Sequence, residues 1–169
     1  MLQFETKRCT ISALQTKDAP FIFSLQNSPG WLQFIGDRGI RTLDDAIHYI
    51  LFGPMKSYQE NGFGLYLVQE KETGEKMGLC GLLKRDTFND IDLGFAFLPE
   101  FNGKGYAFET ATALLNFART ELKVVKMLAF SNNNNSTSIR LLEKLGFSFE
   151  KMIPWPASED LKLFSINLI

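Results

Sequence analysis

Histidine and cysteine are nearly missing from this chain: one His (His48) and two Cys (Cys9 and Cys80) among 169 residues. Two distant cysteines do not make a disulfide framework, and such sparse use points to a reducing compartment. Structural zinc takes about four ligands, a set that one His and no CxxC pair do not offer, so no metal is expected. The same shortage removes Cys-His and Ser-His-Asp catalysis unless His48 is the base, and His48 reads as a surface residue. Long apolar runs are also lacking. No stretch approaches the ~20 residues of a membrane helix, and Met1 to Thr10 has no apolar signal-peptide core. A cytoplasmic protein without a membrane partner is expected. Nor is there an excess of one charge. Lys and Arg number 18 against 19 Asp and Glu, a formal net charge of -1. Nucleic-acid binding through a broad basic surface depends on neutralising phosphates, so no nucleic-acid partner is expected, although a small local anion site stays open.

What the chain does have is core material. Apolar residues make up 45% of it, with 16 Phe, and a chain of this size buries roughly 70% of its unfolded surface. No internal repeat and no Pro/Gly/Ser linker divides it, so one domain over 1–169 is expected. A strand is predicted over 4–14. A helix follows from Thr16 through Phe21, Ile22 and Leu25 and closes near Ser28-Pro29-Gly30. Thr42-Leu43-Asp44-Asp45 resembles a capping box and opens a helix predicted to stop before Gly53-Pro54. Strands over 64–68 and 77–83 flank the turn Glu72-Thr73-Gly74. Residues 90–98 alternate, with Ile91, Leu93, Phe95 and Phe97 on one side and Asp90, Asp92, Gly94 and Ala96 on the other. A helix over 107–122, a strand over 124–130, a short helix over 138–145 capped at Gly146, and strands over 147–152 and 162–168 complete a mixed α/β, three-layer arrangement.

The most informative stretch is Phe101-Asn102-Gly103-Lys104-Gly105-Tyr106-Ala107, between a strand and a helix. Two glycines permit positive φ and close approach of a ligand to the backbone. The helix that follows presents unpaired N–H groups and the positive end of its dipole, which suits phosphate, and Lys104 adds a cation. A plain strand-to-helix turn accounts for the same residues. The stretch is not a Walker A loop, having no Gly-Lys-Ser/Thr at the required spacing, and without a third glycine it is not a dinucleotide fingerprint.

Asp92-Leu93-Gly94-Phe95, Leu98-Pro99-Glu100, Asn102 to Ala107 and Glu109 together resemble motif A of the GNAT N-acetyltransferases. Asn135-Ser136-Thr137-Ser138-Ile139-Arg140 and Glu143-Lys144-Leu145-Gly146-Phe147 resemble the N-x-x-S and E-K-x-G-F segment of the RimJ/RimL-like branch, which includes ribosomal-protein N-terminal acetyltransferases. The resemblance spans essentially the whole chain. One position departs: the general signature begins with Gln or Arg where Asn102 stands. The family's pyrophosphate contacts are mostly backbone N–H groups, so the shorter side chain should weaken the site little.

The resemblance implies an acyl-CoA N-acyltransferase fold with a central, mixed, splayed sheet and acetyl-CoA as acetyl donor. The donor would lie between the strand ending at Leu98 and the strand over 124–130. Its pantetheine arm would pair with the backbone of Phe97 and Leu98, and its pyrophosphate would meet Gly103, Lys104, Gly105, Tyr106 and Ala107. Ser138 would protonate the departing thiolate, or else simply cap its helix. Asn135 would be a cap, a pantetheine contact, or both. Asp92 would be the base, directly or through water, or else a solvated strand carboxylate. Glu109 would support its helix N-terminus. Tyr106 would pack under the turn or touch the donor. Trp31, Phe34 and Trp155 would line an acceptor pocket or belong to the core. The implied acceptor is a protein or peptide N-terminal α-amine. Small amines (polyamines, aminoglycosides, amino acids) and a non-catalytic acyl-CoA-binding module are the alternatives. Asp86, Asp90 and Asp92 are the sole local acid concentration a polyamine could use. Monomer and homodimer are both open.

Overall fold

The computed structural model describes residues 3–169; Met1 and Leu2, which head the stretch read above for a signal-peptide core, lie outside the described residues. Where one strand was predicted over 4–14, the chain forms a hairpin of β1 (Gln3–Glu5) and β2 (Cys9–Ala13). Thr6 closes its turn: its N–H donates to the Cys9 carbonyl at 2.9 Å, and its hydroxyl accepts from the Cys9 N–H at 3.0 Å.

A 3-10 turn (Thr16–Asp18) leads into α1 (Ala19–Gln26). Pro29 does not end the helical region. It occupies the first position of a further helix, α2 (Pro29–Phe34), where an N–H would have no partner anyway. Thr42 starts α3 (Leu43–Ile50) with the expected capping box. Its hydroxyl accepts from the Asp45 N–H at 3.1 Å, while the Asp45 carboxylate accepts from the Thr42 N–H at 2.9 Å. The predicted stop at Gly53-Pro54 is absent. A π turn (Leu51–Met55) takes up Pro54, and the helix continues as α4 (Lys56–Asn61) to a left-handed cap at Gly62. The wider turn accommodates the proline ring and its missing donor.

The remaining elements fall close to their predicted places: β3 (Leu65–Glu70), β4 (Lys76–Leu83), β5 (Asp92–Phe97), α5 (Tyr106–Thr120), β6 (Lys126–Asn132), α6 (Ser136–Leu145), β7 (Ser148–Ile153) and β8 (Leu161–Asn167). The strands form one sheet in the order β1-β2-β3-β4-β5-β6-β8-β7, antiparallel throughout except for β5 and β6. Alternation along the central strands divides the core between its two faces. Tyr66, Val68, Cys80, Leu82 and Leu93 pack with Ala111, Leu114 and Leu142 beneath α5 and α6. Leu67 and Leu79 pack with Ile22, Leu25, Trp31 and Ile50 beneath α1 to α3. The result is three layers.

The sheet opens in the middle. β5 and β6 stay in register only at Asp92–Leu128 and Leu93–Ala129. Beyond that point β5 follows β4 to Phe97–Gly78, and β6 follows β8 to Asn132–Leu161. The Leu98 N–H donates to the Met77 carbonyl at 2.9 Å. Antiparallel pairs alternate bonded and non-bonded positions, so Ala96 and Gly94 aim at β4 as well, and the N–H and C=O groups of Phe95 and Phe97 face the gap.

Candidate active site

At the wide end of the gap lies the glycine turn. Gly103 and Gly105 hold φ +74° and +84°, and Gly105 is the N-cap of the 15-residue helix α5. Both glycines are exposed, and a Cβ on Gly103 would meet nothing within 4 Å, so the concave side of the turn is open. Unpaired N–H groups of the first helical turn and the positive dipole end converge there, which is the chemistry an anion needs.

The turn is braced from behind. Glu109 accepts from the Thr6 hydroxyl at 2.6 Å, the Arg8 N–H at 2.7 Å and Arg8 Nε at 2.7 Å, and Arg8 Nη1 reaches the Lys104 carbonyl at 2.9 Å. Burial alone would raise the Glu109 carboxyl, but the bonds from Thr6 and Arg8 outweigh it and leave the group below the usual Glu value. Glu109 therefore does more than face the helix dipole: it ties the N-terminal hairpin to the turn. Tyr106 is buried under the turn, edge-on to Phe101 at 6.2 Å, with its hydroxyl donating to Glu70 at 3.1 Å.

Across the gap stands the start of α6. Asn135 is its N-cap, and Asn135 Oδ1 accepts from the Ser138 N–H at 3.2 Å. Ser138 is therefore not the cap but the third residue of the helix. Its hydroxyl has no hydrogen-bond partner among the described residues, and it lines the cleft.

Asp92 sits at the narrow end, where β5 and β6 part. It is not a solvated strand carboxylate: it is 2% exposed and holds Arg85 bidentately, Nε–Oδ1 2.9 Å and Nη2–Oδ2 3.3 Å. Burial pushes its carboxyl above the usual Asp value, and Arg85 pulls the other way without cancelling the effect. The Arg85 guanidinium lies over Trp155 and Phe130, 5.1 and 5.6 Å from the ring centroids.

These parts share one cleft of about 820 Å³, which runs from the glycine turn and α6 through the gap past Asp92 and Arg85 to α2, α3 and the π turn. The cleft brings together Phe97, Gly103, Gly105, Tyr106, Ala107, Asn135, Ser138 and Asp92, and also Trp31, Phe34 and Trp155. Two expected residues stand apart from its lining. Leu98 spends its N–H on β4, so the backbone offered to the gap belongs to Phe95 and Phe97 instead. Lys104 is exposed with its ammonium 6.0 Å from the Phe101 ring, and the lysine on the cleft wall near the turn is Lys144, over the Phe108 ring at 4.3 Å. His48 is exposed and packs on Phe52. Cys80 is buried, its thiol pushed up by desolvation to about 12, and belongs to the core. Among the described residues no cluster of His, Cys, Asp or Glu could hold a metal, and no helix is long and apolar enough to cross a membrane.

A sheet splayed between two parallel strands, with a glycine turn at one mouth, is the geometry the sequence motifs require. The family model described as an acetyltransferase (GNAT) domain matches residues 8–148. The chain belongs to the GNAT acetyltransferase family. Its curated relatives include the uncharacterized N-acetyltransferase YjdG of Bacillus subtilis, 30% identical over 156 residues (87% of this chain, 90% of that one). A shorter match, 31% identical over 78 residues, covers 46% of this chain and 42% of the spermidine N(1)-acetyltransferase of Escherichia coli K12. Two solved structures share the fold at TM-score 0.83. One is the acetyltransferase from Agrobacterium tumefaciens, 24% identical, covering 99% of this chain and 95% of that one. The other is the ribosomal-protein-S5-alanine acetyltransferase from Vibrio fischeri, 18% identical, covering 99% and 97%. This GNAT chain is thus an N-acetyltransferase, and acetyl-CoA is the donor its family uses.

Arg85 escaped the sequence reading because strand register is what brings it to Asp92. Leu83 pairs with Asp92 across β4 and β5, so an Arg two residues beyond Leu83 lies within reach of that carboxylate. Thr6-Lys7-Arg8 also fits the resemblance to the RimJ/RimL-like branch, but nothing local ties Arg8 to its partner, which is 101 positions away.

Proposed function

We propose that this GNAT protein acetylates an α-amine, that of a protein or peptide N-terminus, as expected of the RimJ/RimL-like branch. The observation that carries this reading is the single cleft joining the glycine turn to the buried Asp92–Arg85 pair through the gap between β5 and β6. Acetyl-CoA supplies the thioester that the amine attacks. The open turn at Gly103 to Ala107 offers its N–H groups to the pyrophosphate, with Lys144 beside them. The gap-facing N–H and C=O groups of Phe95 and Phe97 receive the amides of the pantetheine arm as an added strand would. A gap-facing backbone N–H also holds the negative charge that develops on the carbonyl oxygen. Asp92, directly or through a water, takes the proton the amine sheds, and Ser138 gives one to the departing sulfur. An α-amine loses its proton near pH 8 against about 10.4 for a lysine side chain, so a carboxylate tied to an arginine is base enough.

The partial match to a spermidine acetyltransferase favours a second reading, transfer to a polyamine. The lining speaks against it: Asp92 is the one acidic residue on the cleft wall, and Arg85 already occupies it, while neither Asp86 nor Asp90 lines the cleft. A mass-spectrometric screen with acetyl-CoA over N-terminal peptides, lysine peptides, spermidine and aminoglycosides decides between them. Transfer confined to α-amines is the expected result. Transfer confined to spermidine or aminoglycosides would move the function to small-amine modification.

A further inference from the structure

The cleft has a second arm, beyond Asp92 on the α1–α3 face of the sheet, whose wall is aromatic and apolar: Trp31, Phe34, Tyr49, Pro54 and Leu65. Such a wall desolvates an apolar body and offers a polycation no carboxylate to pair with. Charge on the wall reinforces this. The lining carries four cations, Arg38, Lys84, Arg85 and Lys144, against the single carboxylate of Asp92. Arg85 is consumed by that carboxylate. Arg38 is not: it is exposed at the rim and has no carboxylate partner among the described residues, because neighbouring Asp37 is held by Arg41. Arg38 also stands close enough to Tyr49 for its charge to act on the phenol, against the burial that raises it.

A second observation points the same way. Trp31 is 6% exposed, and its indole N–H is buried without a hydrogen-bond partner among the described residues. An indole N–H can only donate, and buried donors are nearly always paired. An acceptor oxygen supplied by a bound molecule would complete it once the surroundings that close this nitrogen off from solvent move aside.

We propose that the acceptor is an amine with an apolar or aromatic body at its amine end and a negative charge further out, the body seated against Trp31, Phe34 and Tyr49 and the charge facing Arg38. The proposal rests on the acetyl-transfer reading above and names the acceptor class within it. The charge can come from a free carboxylate, as in an apolar amino acid, or from an acidic side chain shortly after an apolar N-terminal residue.

The test uses the full chain, acetyl-CoA and matched acceptors: leucyl and phenylalanyl peptides with acidic or neutral second and third residues, free leucine and phenylalanine with their amides, and spermidine. The acidic member of a pair should be preferred roughly tenfold in kcat/KM, the equivalent of about 1.4 kcal/mol, and spermidine should be left unmodified. Preference among the peptides assigns the charge to a side chain; preference among the amino acids assigns it to the carboxylate and moves the acceptor from a peptide N-terminus to a free amino acid; either supports the proposal. Arg38→Glu should abolish the preference by raising KM for the acidic acceptors, with KM for acetyl-CoA unchanged. Trp31→Phe, which keeps the aromatic body and removes the donor, should raise acceptor KM and leave acetyl-CoA binding intact. Equal use of acidic and neutral acceptors, a preference that survives Arg38→Glu, or faster transfer to spermidine overturns the proposal and leaves acetyl transfer standing. Silence across the panel while acetyl-CoA still raises Tm overturns it as well. Loss of the acetyl-CoA effect on Tm would instead strike the donor site on which both readings stand.

Discussion

Gly105 shows how much of this site depends on one missing Cβ. It caps α5 at φ +84°, a conformation that costs an L-residue about 1–2 kcal/mol, and a Cβ there would come within 3.2 Å of Arg8 Nη2. Gly105→Val should therefore destabilise the fold by roughly 2 kcal/mol and remove the increase in Tm expected of the parent on adding acetyl-CoA. Thermal melts with and without acetyl-CoA read both effects; an undiminished increase would place the phosphates elsewhere. Asp92 makes a different contribution. Its burial lifts the carboxyl above the ordinary Asp value while Arg85 keeps it available as a base, so the acid limb of the kcat/KM profile should lie above the pH at which a surface Asp titrates. Asp92→Asn should lower kcat about tenfold or more and leave the acetyl-CoA effect on Tm in place. An unchanged kcat would assign the proton to water.

Among the elements, α6 depends most on its first residue. Asn135 Oδ1 accepts the Ser138 N–H, so the residue that caps the helix also sets where Ser138 stands. Asn135→Ala should cost about 1 kcal/mol, and kcat should fall with it, because the first turn that presents Ser138 frays. Tm and kcat measured on the same preparation test the link, and a drop in Tm with kcat intact would free Ser138 from that dependence. The elements also show which signals a sequence carries. The capping box at Thr42, the glycine turn at Gly103 to Gly105 and the left-handed cap at Gly146 are local chemistry, and each was legible before the structure was known. The hairpin turn at Thr6, the continuation of a helix through Pro54, and α2 beyond Pro29 were not. Each is decided by what packs against it: the apolar residues of 4–14 serve two strands as well as one, and a π turn holds a proline only where the flanking turns are pinned by the core. The site divides in the same way. Backbone cradles and helix starts were readable. The Arg85–Asp92 pair and the Leu98 N–H turned toward β4 follow from strand register, which no short motif encodes.

At the scale of the molecule, the sheet must be held together around a gap it cannot bridge with its own ladder. β5 and β6 share two residue pairs, and the donor-facing turn lies at the far end of β5, where that support has ended. Glu109 restores it. Bonds from Thr6 and Arg8 span separations of 103 and 101 positions and fasten the first hairpin to the start of α5, so the turn is supported by the opposite end of the sheet. Because these bonds hold the Glu109 carboxyl below the usual 4.5 against the burial that would raise it, the folded state favours the ionised form. The stability this gives is complete above the unfolded-state pKa and fades as pH falls through the lower, folded value. Glu109→Gln should thus lose about 1–2 kcal/mol at neutral pH, a fall of roughly 2–4 °C in Tm for each kcal/mol in a chain of this size. The gap between parent and variant should then close as the pH drops below about 4. Urea unfolding of both proteins at pH 7 and across the acid range measures it. A gap that stays constant with pH would mean that shape, not charge, braces the turn, and the acetyl-CoA effect on Tm would then be equally insensitive to acid on this account.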